Sequence, residues 1–122
     1  MTTPVRAELS VEADEPRRTA TVTLTVGADE PVFAGHYPHF AIFPGVCLVD
    51  CVVRGADRTI PDPGLELCGV DSARFLTAVF PGDEVRIELS WRPLGDDWRC
   101  AADLSTARGP AAVVRLRYRV TR

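Results

Sequence analysis

Three stretches of the chain alternate apolar and polar residues with a period of two. Residues 18–26 put Ala20, Val22, Leu24 and Val26 on one side and threonines 19, 21, 23 and 25 on the other. Residues 84–91 line up Val85, Ile87, Leu89 and Trp91. Residues 112–120 line up Val114, Leu116, Tyr118 and Val120 against Arg115, Arg117 and Arg119. Such alternation, rich in β-branched residues, predicts half-buried strands. Weaker strand signals cover residues 5–11, 65–79 and 98–104. Pro81-Gly82-Asp83, the stretch 93–97 and Asp62-Pro63-Gly64 supply turn chemistry between these runs. One segment alone reads as a helix. Pro44 suits a first turn, where a missing N–H costs nothing. Val46, Val49 and Val53 then fall on one face, and Leu48 and Val52 widen it until the segment is apolar nearly all round. A helix of that kind is expected to be buried. It is expected to end between Gly55 and Arg58, ahead of Pro61. The pattern is α+β: one long antiparallel sheet and one apolar helix after the second strand.

Composition narrows the class. A chain of 122 residues, 46% hydrophobic and 25% charged, is expected to form one globular domain over residues 1–122. No uncharged apolar run approaches the ~20 residues needed to span a bilayer, and the first residues show no apolar secretory core. The expected location is the cytoplasm. A net charge of −3 argues against nucleic acid or an anionic membrane surface as partner. All 14 basic residues are arginine, and Lys, Asn and Gln are absent, a bias that fits a GC-rich genome. Cys47, Cys51, Cys68 and Cys100 form no C-x-x-C pair and no zinc spacing, so they are expected to be reduced thiols. Cys47 and Cys51, four apart on the helix, would share one face as small packing residues.

The chemistry concentrates in residues 33–50, which hold both histidines, His36 and His39, and run through Pro44-Gly45 into the helix. Asp50 lies within that otherwise apolar helix. A carboxylate there is costly unless it is paired or neutral, and apolar surroundings raise its pKa, as a general acid requires. The alternative is an ion pair with Arg54 one turn later, which would keep Asp50 ionised. Gly45, at the helix start, can present a bare backbone N–H to a carbonyl oxygen. His36 and His39 could ligate a metal, but no third ligand has suitable spacing, so no metal is expected.

The segment resembles the signature of the 3-hydroxyacyl-ACP dehydratases of the FabZ/FabA type. Gly35-His36-Tyr37-Pro38 matches the first part and Phe43-Pro44-Gly45-Val46 the second. Asp50 falls fourteen residues after His36, where that family keeps its catalytic acid. A second block, Asp71 to Phe75 followed by Val79-Phe80-Pro81-Gly82-Asp83, is similar to the strand and turn after the family's helix. The resemblance covers residues 18–120 and implies the hot-dog fold, a long antiparallel sheet wrapped around a central apolar helix.

The resemblance also implies a reaction, the elimination of water from a 3-hydroxyacyl thioester to give a trans-2-enoyl thioester. His36 would be the general base and Asp50 the general acid, and the Gly45 N–H would polarise the thioester carbonyl. Phe40, Ile42, Phe43, Val46 and Phe75 would line the acyl tunnel. No cofactor is implied; the substrate would arrive on the phosphopantetheine arm of an acyl carrier protein. The active site would lie at the interface of a homodimer, or of a heterodimer with another hot-dog subunit. Arg54 and Arg74, or the stripe Arg115, Arg117 and Arg119, would be candidates for docking an acidic carrier protein. The chain departs from the family pattern at Cys51, at Arg54 where a Gln is usual, at Ala41 where a proline is common, and at His39. These departures point to a specialised polyketide- or polyene-type enzyme. A non-catalytic hot-dog subunit and an acyl thioesterase on the same fold are the alternatives.

Overall fold

The computed structural model describes residues 5–34 and 42–121. Six strands, β1 (Ser10–Asp14), β2 (Thr19–Thr25), β3 (Leu65–Phe75), β4 (Glu84–Leu94), β5 (Asp97–Thr106) and β6 (Gly109–Val120), form one sheet in the order β1-β2-β4-β5-β6-β3. Every neighbouring pair is antiparallel. The period-two pattern sets the register. Leu89 lies opposite Ala20 on one side and Ala102 on the other, and Ala102 opposite Val114. A one-residue slip would turn each of these buried side chains to water. The strands predicted at 18–26, 84–91 and 112–120 are present, and the weaker signals at 65–79 and 98–104 became β3 and β5.

A 3-10 turn (Glu15–Arg17) between β1 and β2 and two α-helices complete the described fold: a single turn, α1 (Pro31–Ala34), and α2 (Gly45–Asp57). Pro44 is the N-cap of α2, one position before its expected place in the first turn, and its carbonyl accepts the N–H groups of Cys47 and Leu48. The end at Asp57 falls in the expected interval. The buried face differs from the expected one. Cys47, Leu48, Cys51, Val52, Gly55 and Ala56 meet the sheet, whereas Val49 and Val53 are half-buried and Val46 is 71% exposed. Gly55 explains the choice of face. A Cβ there would stand 3.0 Å from Val22 Cγ2 and 3.5 Å from Leu89 Cδ1, so the glycine side is the one that can close onto β2 and β4. At the far end of α2, Tyr118 of β6 donates its hydroxyl to Asp57 Oδ1 at 2.7 Å. Trp91 of β4 donates its indole N–H to Thr59 Oγ1 at 3.1 Å. Two polar anchors therefore fix the helix to the sheet within an apolar contact.

The signal at 5–11 divides in two. Strand pairing begins only at Ser10. Residues 5–9 leave the sheet and run as a strap along α2, with Val5 buried in the core. β3 ends at Phe75, short of the expected 79, because the Leu76 and Thr77 N–H groups both turn to the Ala111 carbonyl.

Candidate functional site

α2 carries the acid and the bare N–H expected of it. Asp50 is half-buried, and its Oδ2 is shut away from water with no hydrogen-bond partner. Burial raises its pKa above the ordinary carboxylate value, and the Arg54 charge opposes that rise as the smaller influence. The expected alternative, an Asp50–Arg54 ion pair, is not formed. Arg54 instead donates from Nη1 to the Val5 carbonyl at 3.3 Å and from Nη2 to the Ala7 carbonyl at 3.0 Å. That engagement also takes Arg54 out of the set of free cations for carrier docking. Cys51, beside Asp50 on the helix, is pushed up to about 12, chiefly by burial, and Cys47 is raised for the same first reason. Both are packing residues and poor nucleophiles, as their spacing suggested.

Gly45 opens α2, in the turn whose N–H groups lack intrahelical acceptors. Phe75, at the end of β3, lays its ring on it. A Cβ at Gly45 would stand 2.7 to 2.9 Å from three ring carbons, so only glycine fits under this ring as placed. Between α2 and the segment after β3 lies an open groove of about 300 Å³, lined by Ile42, Phe43, Gly45, Leu48, Phe75 and the stretch 76–79. Phe43 is tied across it by its N–H to the Val79 carbonyl at 2.7 Å.

The structure thus brings together Ile42, Phe43, Gly45 and Phe75, four of the residues expected to bind substrate or polarise it. Val46 points away from the groove into solvent, so its expected place in the wall is not found. His36, Phe40 and His39 lie outside the described residues. Arg74 is exposed on β3. The arginine stripe of β6 is largely neutralised: Arg117 pairs with Asp71 at 3.1 Å and Asp97 at 3.9 Å, and Arg115 lies 3.9 Å from Asp103. Asp83, in the second motif block, accepts the Phe80 N–H and pairs with Arg108, which holds its carboxyl below the usual range. This closes the turn beneath the groove. Two contributions were missed from the sequence. One is the groove wall at 76–79. The other is Glu30, 3% exposed, whose carboxyl accepts the Arg6 N–H at 2.7 Å and the Ala7 N–H at 3.2 Å. An acid directly before Pro31 is a helix-start signal, but nothing local marks it as the anchor of a strap.

A family model described as ApeI dehydratase, of the ApeI-like family, matches residues 12–109. The chain belongs to the ApeI-like dehydratase family. Curated relatives of this ApeI-like chain include two enzymes named 3-hydroxyacyl-[acyl-carrier-protein] dehydratase FabZ. One, from Pelotomaculum thermopropionicum, is 33% identical over 105 residues, 81% of this chain and 71% of the relative. The other, from Symbiobacterium thermophilum, is 38% identical over 81 residues, 62% of this chain but only 57% of the relative's length. Among solved structures, the dehydratase heterocomplex ApeI:P from Xenorhabdus doucetiae superposes with a TM-score of 0.71 at 19% identity, covering 91% of this chain and 97% of that one. The fold of the ApeI-like chain is the expected hot-dog. No helix among its described residues is long and apolar enough to cross a membrane.

Proposed function

We propose that this chain dehydrates a 3-hydroxyacyl thioester to the trans-2-enoyl thioester. One observation carries the reading: in the middle of α2 one carboxyl oxygen of the half-buried Asp50 is shut away from water with no hydrogen-bond partner, on the helix whose first N–H groups open onto an apolar groove. A carboxyl held neutral can give its proton to a leaving hydroxyl, so Asp50 acts as the general acid. The Gly45 N–H, at the positive end of α2, donates to the thioester oxygen and stabilises the charge that develops there when the α-proton leaves. His36 removes that proton, an assignment that rests on the motif spacing. The C–H and C–O bonds break, the double bond forms, and water departs with the proton from Asp50. The acyl chain lies against Phe43 and Phe75, and the phosphopantetheine arm of an acyl carrier protein delivers it.

The natural setting of this reading is a polyketide- or polyene-type pathway in the cytoplasm. Membership of the ApeI-like family and the departures at Cys51 and Arg54 support the pathway, and four free thiols suit the compartment. The working unit is a pair of hot-dog subunits. β3 leaves its outer edge unpaired among the described residues and exposes Val70 and Phe75. The Xenorhabdus structure is itself a heterocomplex, which favours a second reading: this chain is the partner subunit of a catalytic hot-dog protein.

Turnover decides between them. Purified protein with a 3-hydroxyacyl-ACP should yield enoyl product, and His36→Ala and Asp50→Asn should abolish it with folding retained. Normal activity in either variant overturns the catalytic assignment. Activity only after co-expression with a second hot-dog protein selects the subunit reading, and release of free thiol without enoyl product selects a thioesterase.

A further inference from the structure

Asp50, Arg54 and Arg58 follow one another at intervals of four residues along one side of α2. Both arginines reach the strap rather than the acid. Arg54 holds the carbonyls of Val5 and Ala7, and Arg58 donates to the Leu9 carbonyl at 3.0 Å. Glu30 holds the same strap from its N–H side, at Arg6 and Ala7. The Glu30 carbonyl also accepts the Phe33 N–H in α1, which leads into the segment that carries His36. Three charged side chains therefore fasten five residues of irregular chain, and one of them stands a single helical turn from Asp50, whose Oδ2 is buried without a hydrogen-bond partner.

We propose that the strap of residues 5–9 is part of the acid site: its carbonyl groups bind the Arg54 guanidinium and withhold it from Asp50, which makes Arg54 a positioning residue. The inference rests on the reading of Asp50 as general acid. Arginine at i+4 from an aspartate is the usual geometry of a helical ion pair, and such a pair would ionise the acid. Two backbone carbonyls offer the guanidinium hydrogen bonds without a full negative charge. The cation is thereby satisfied, and the carboxyl keeps its proton. Among the described residues, the other titratable groups about Asp50 are Cys47 and Cys51 on α2, both raised chiefly by burial, and Glu30 before α1, whose charge adds to that rise. Arg6 and Glu8 of the strap are exposed.

The test reads the Asp50 carboxyl directly by carbon NMR titration, which separates a carboxyl signal from any imidazole. Asp50→Asn assigns the signal. Arg54→Gln should leave the Asp50 pKa nearly where it is, with only a small rise, because the strap already holds the guanidinium away from the carboxyl. Ala7→Pro removes one N–H donor to Glu30, leaves every charge in place, and should lower the Asp50 pKa as Arg54 swings free. In the double variant Ala7→Pro should have no further effect. Deletion of residues 1–9 is the second strap variant, with the same expected direction. The alkaline limb of the activity profile should move with each pKa. A large rise of the Asp50 pKa in Arg54→Gln, which would mean that the guanidinium already acts fully on the carboxyl, overturns the proposal. So does a loosened strap, seen as faster amide exchange, that leaves the titration where it was. Turnover is not needed for the titration. Activity retained in Asp50→Asn would sink the general-acid reading while the strap result stood.

Discussion

Asp50 and Gly45 show how single residues carry opposite demands. A carboxyl whose pKa is raised by burial binds its proton more tightly in the folded chain than in the unfolded one. Its contribution to stability is therefore full below the unfolded value and is lost as pH rises through the folded one. Asp50→Asn removes that loss. At pH 7 the variant should melt at or above the wild-type temperature, and the advantage should vanish toward pH 3. Turnover at pH 7 should fall by about a hundredfold or more. Thermal unfolding at the two pH values, beside a turnover assay, checks both halves. An acid that is merely structural would lose stability with no such pH signature. Gly45→Ala makes a complementary case. Alanine is the better helix former, but its Cβ drives into the Phe75 ring. The variant should keep nearly normal stability, since Phe75 is half-exposed and can swing away, and lose about tenfold or more in turnover. Phe75→Ala placed in the same chain should add little further loss, because the ring is already displaced.

At the scale of elements, the strands were legible because period-two alternation and a half-buried sheet are the same fact. Val85, Ile87, Leu89 and Trp91 alternate because the other face of β4 meets water. The helix was legible as a helix but not in its orientation. Val46, Val49 and Val53 are as apolar as Cys47, Leu48 and Val52, so hydrophobicity could not choose a face, and the missing side chain of Gly55 did. Gly55→Val should therefore cost more than any propensity scale suggests, about 1–3 kcal/mol of overpacking against Val22 and Leu89. Chemical denaturation measures it, and a neutral result would mean that α2 does not close on β2 and β4 there. The strap was illegible for a different reason. Residues 5–11 alternate like a strand, yet the partners that divert residues 5–9 are side chains of Glu30, Arg54 and Arg58, remote in sequence. The motif spacing pointed to Gly45 and Asp50, which lie on the same helix α2. It could not foretell where the Arg54 guanidinium goes, because that depends on the strap.

The whole molecule is asymmetric at its two sheet edges. β1 is short and joined to the strap, whereas β3 is eleven residues long and carries Val70 at 48% and Phe75 at 52% exposure. Its bulges lie at Cys68 and Asp71, where the register against β6 shifts. The second bulge lets Asp71 take both Arg99 and Arg117, which ties one face of the strand into the arginine stripe. The apolar Val70 remains without a role within the chain. A long, partly apolar edge beside the groove suits a second subunit that completes the site, and it would be an aggregation hazard if left open. Val70→Arg places a charge in the middle of that edge. The isolated fold should be kept, since Val70 contributes little to the core, and circular dichroism and melting should match the wild type. Sedimentation should show a shift from paired to single subunits. Turnover should be lost in proportion if, as proposed, the working unit is a pair of subunits. A Val70→Arg protein that stays paired and active would place the subunit contact elsewhere on the sheet. One that is single but fully active would mean that each chain holds a whole active site.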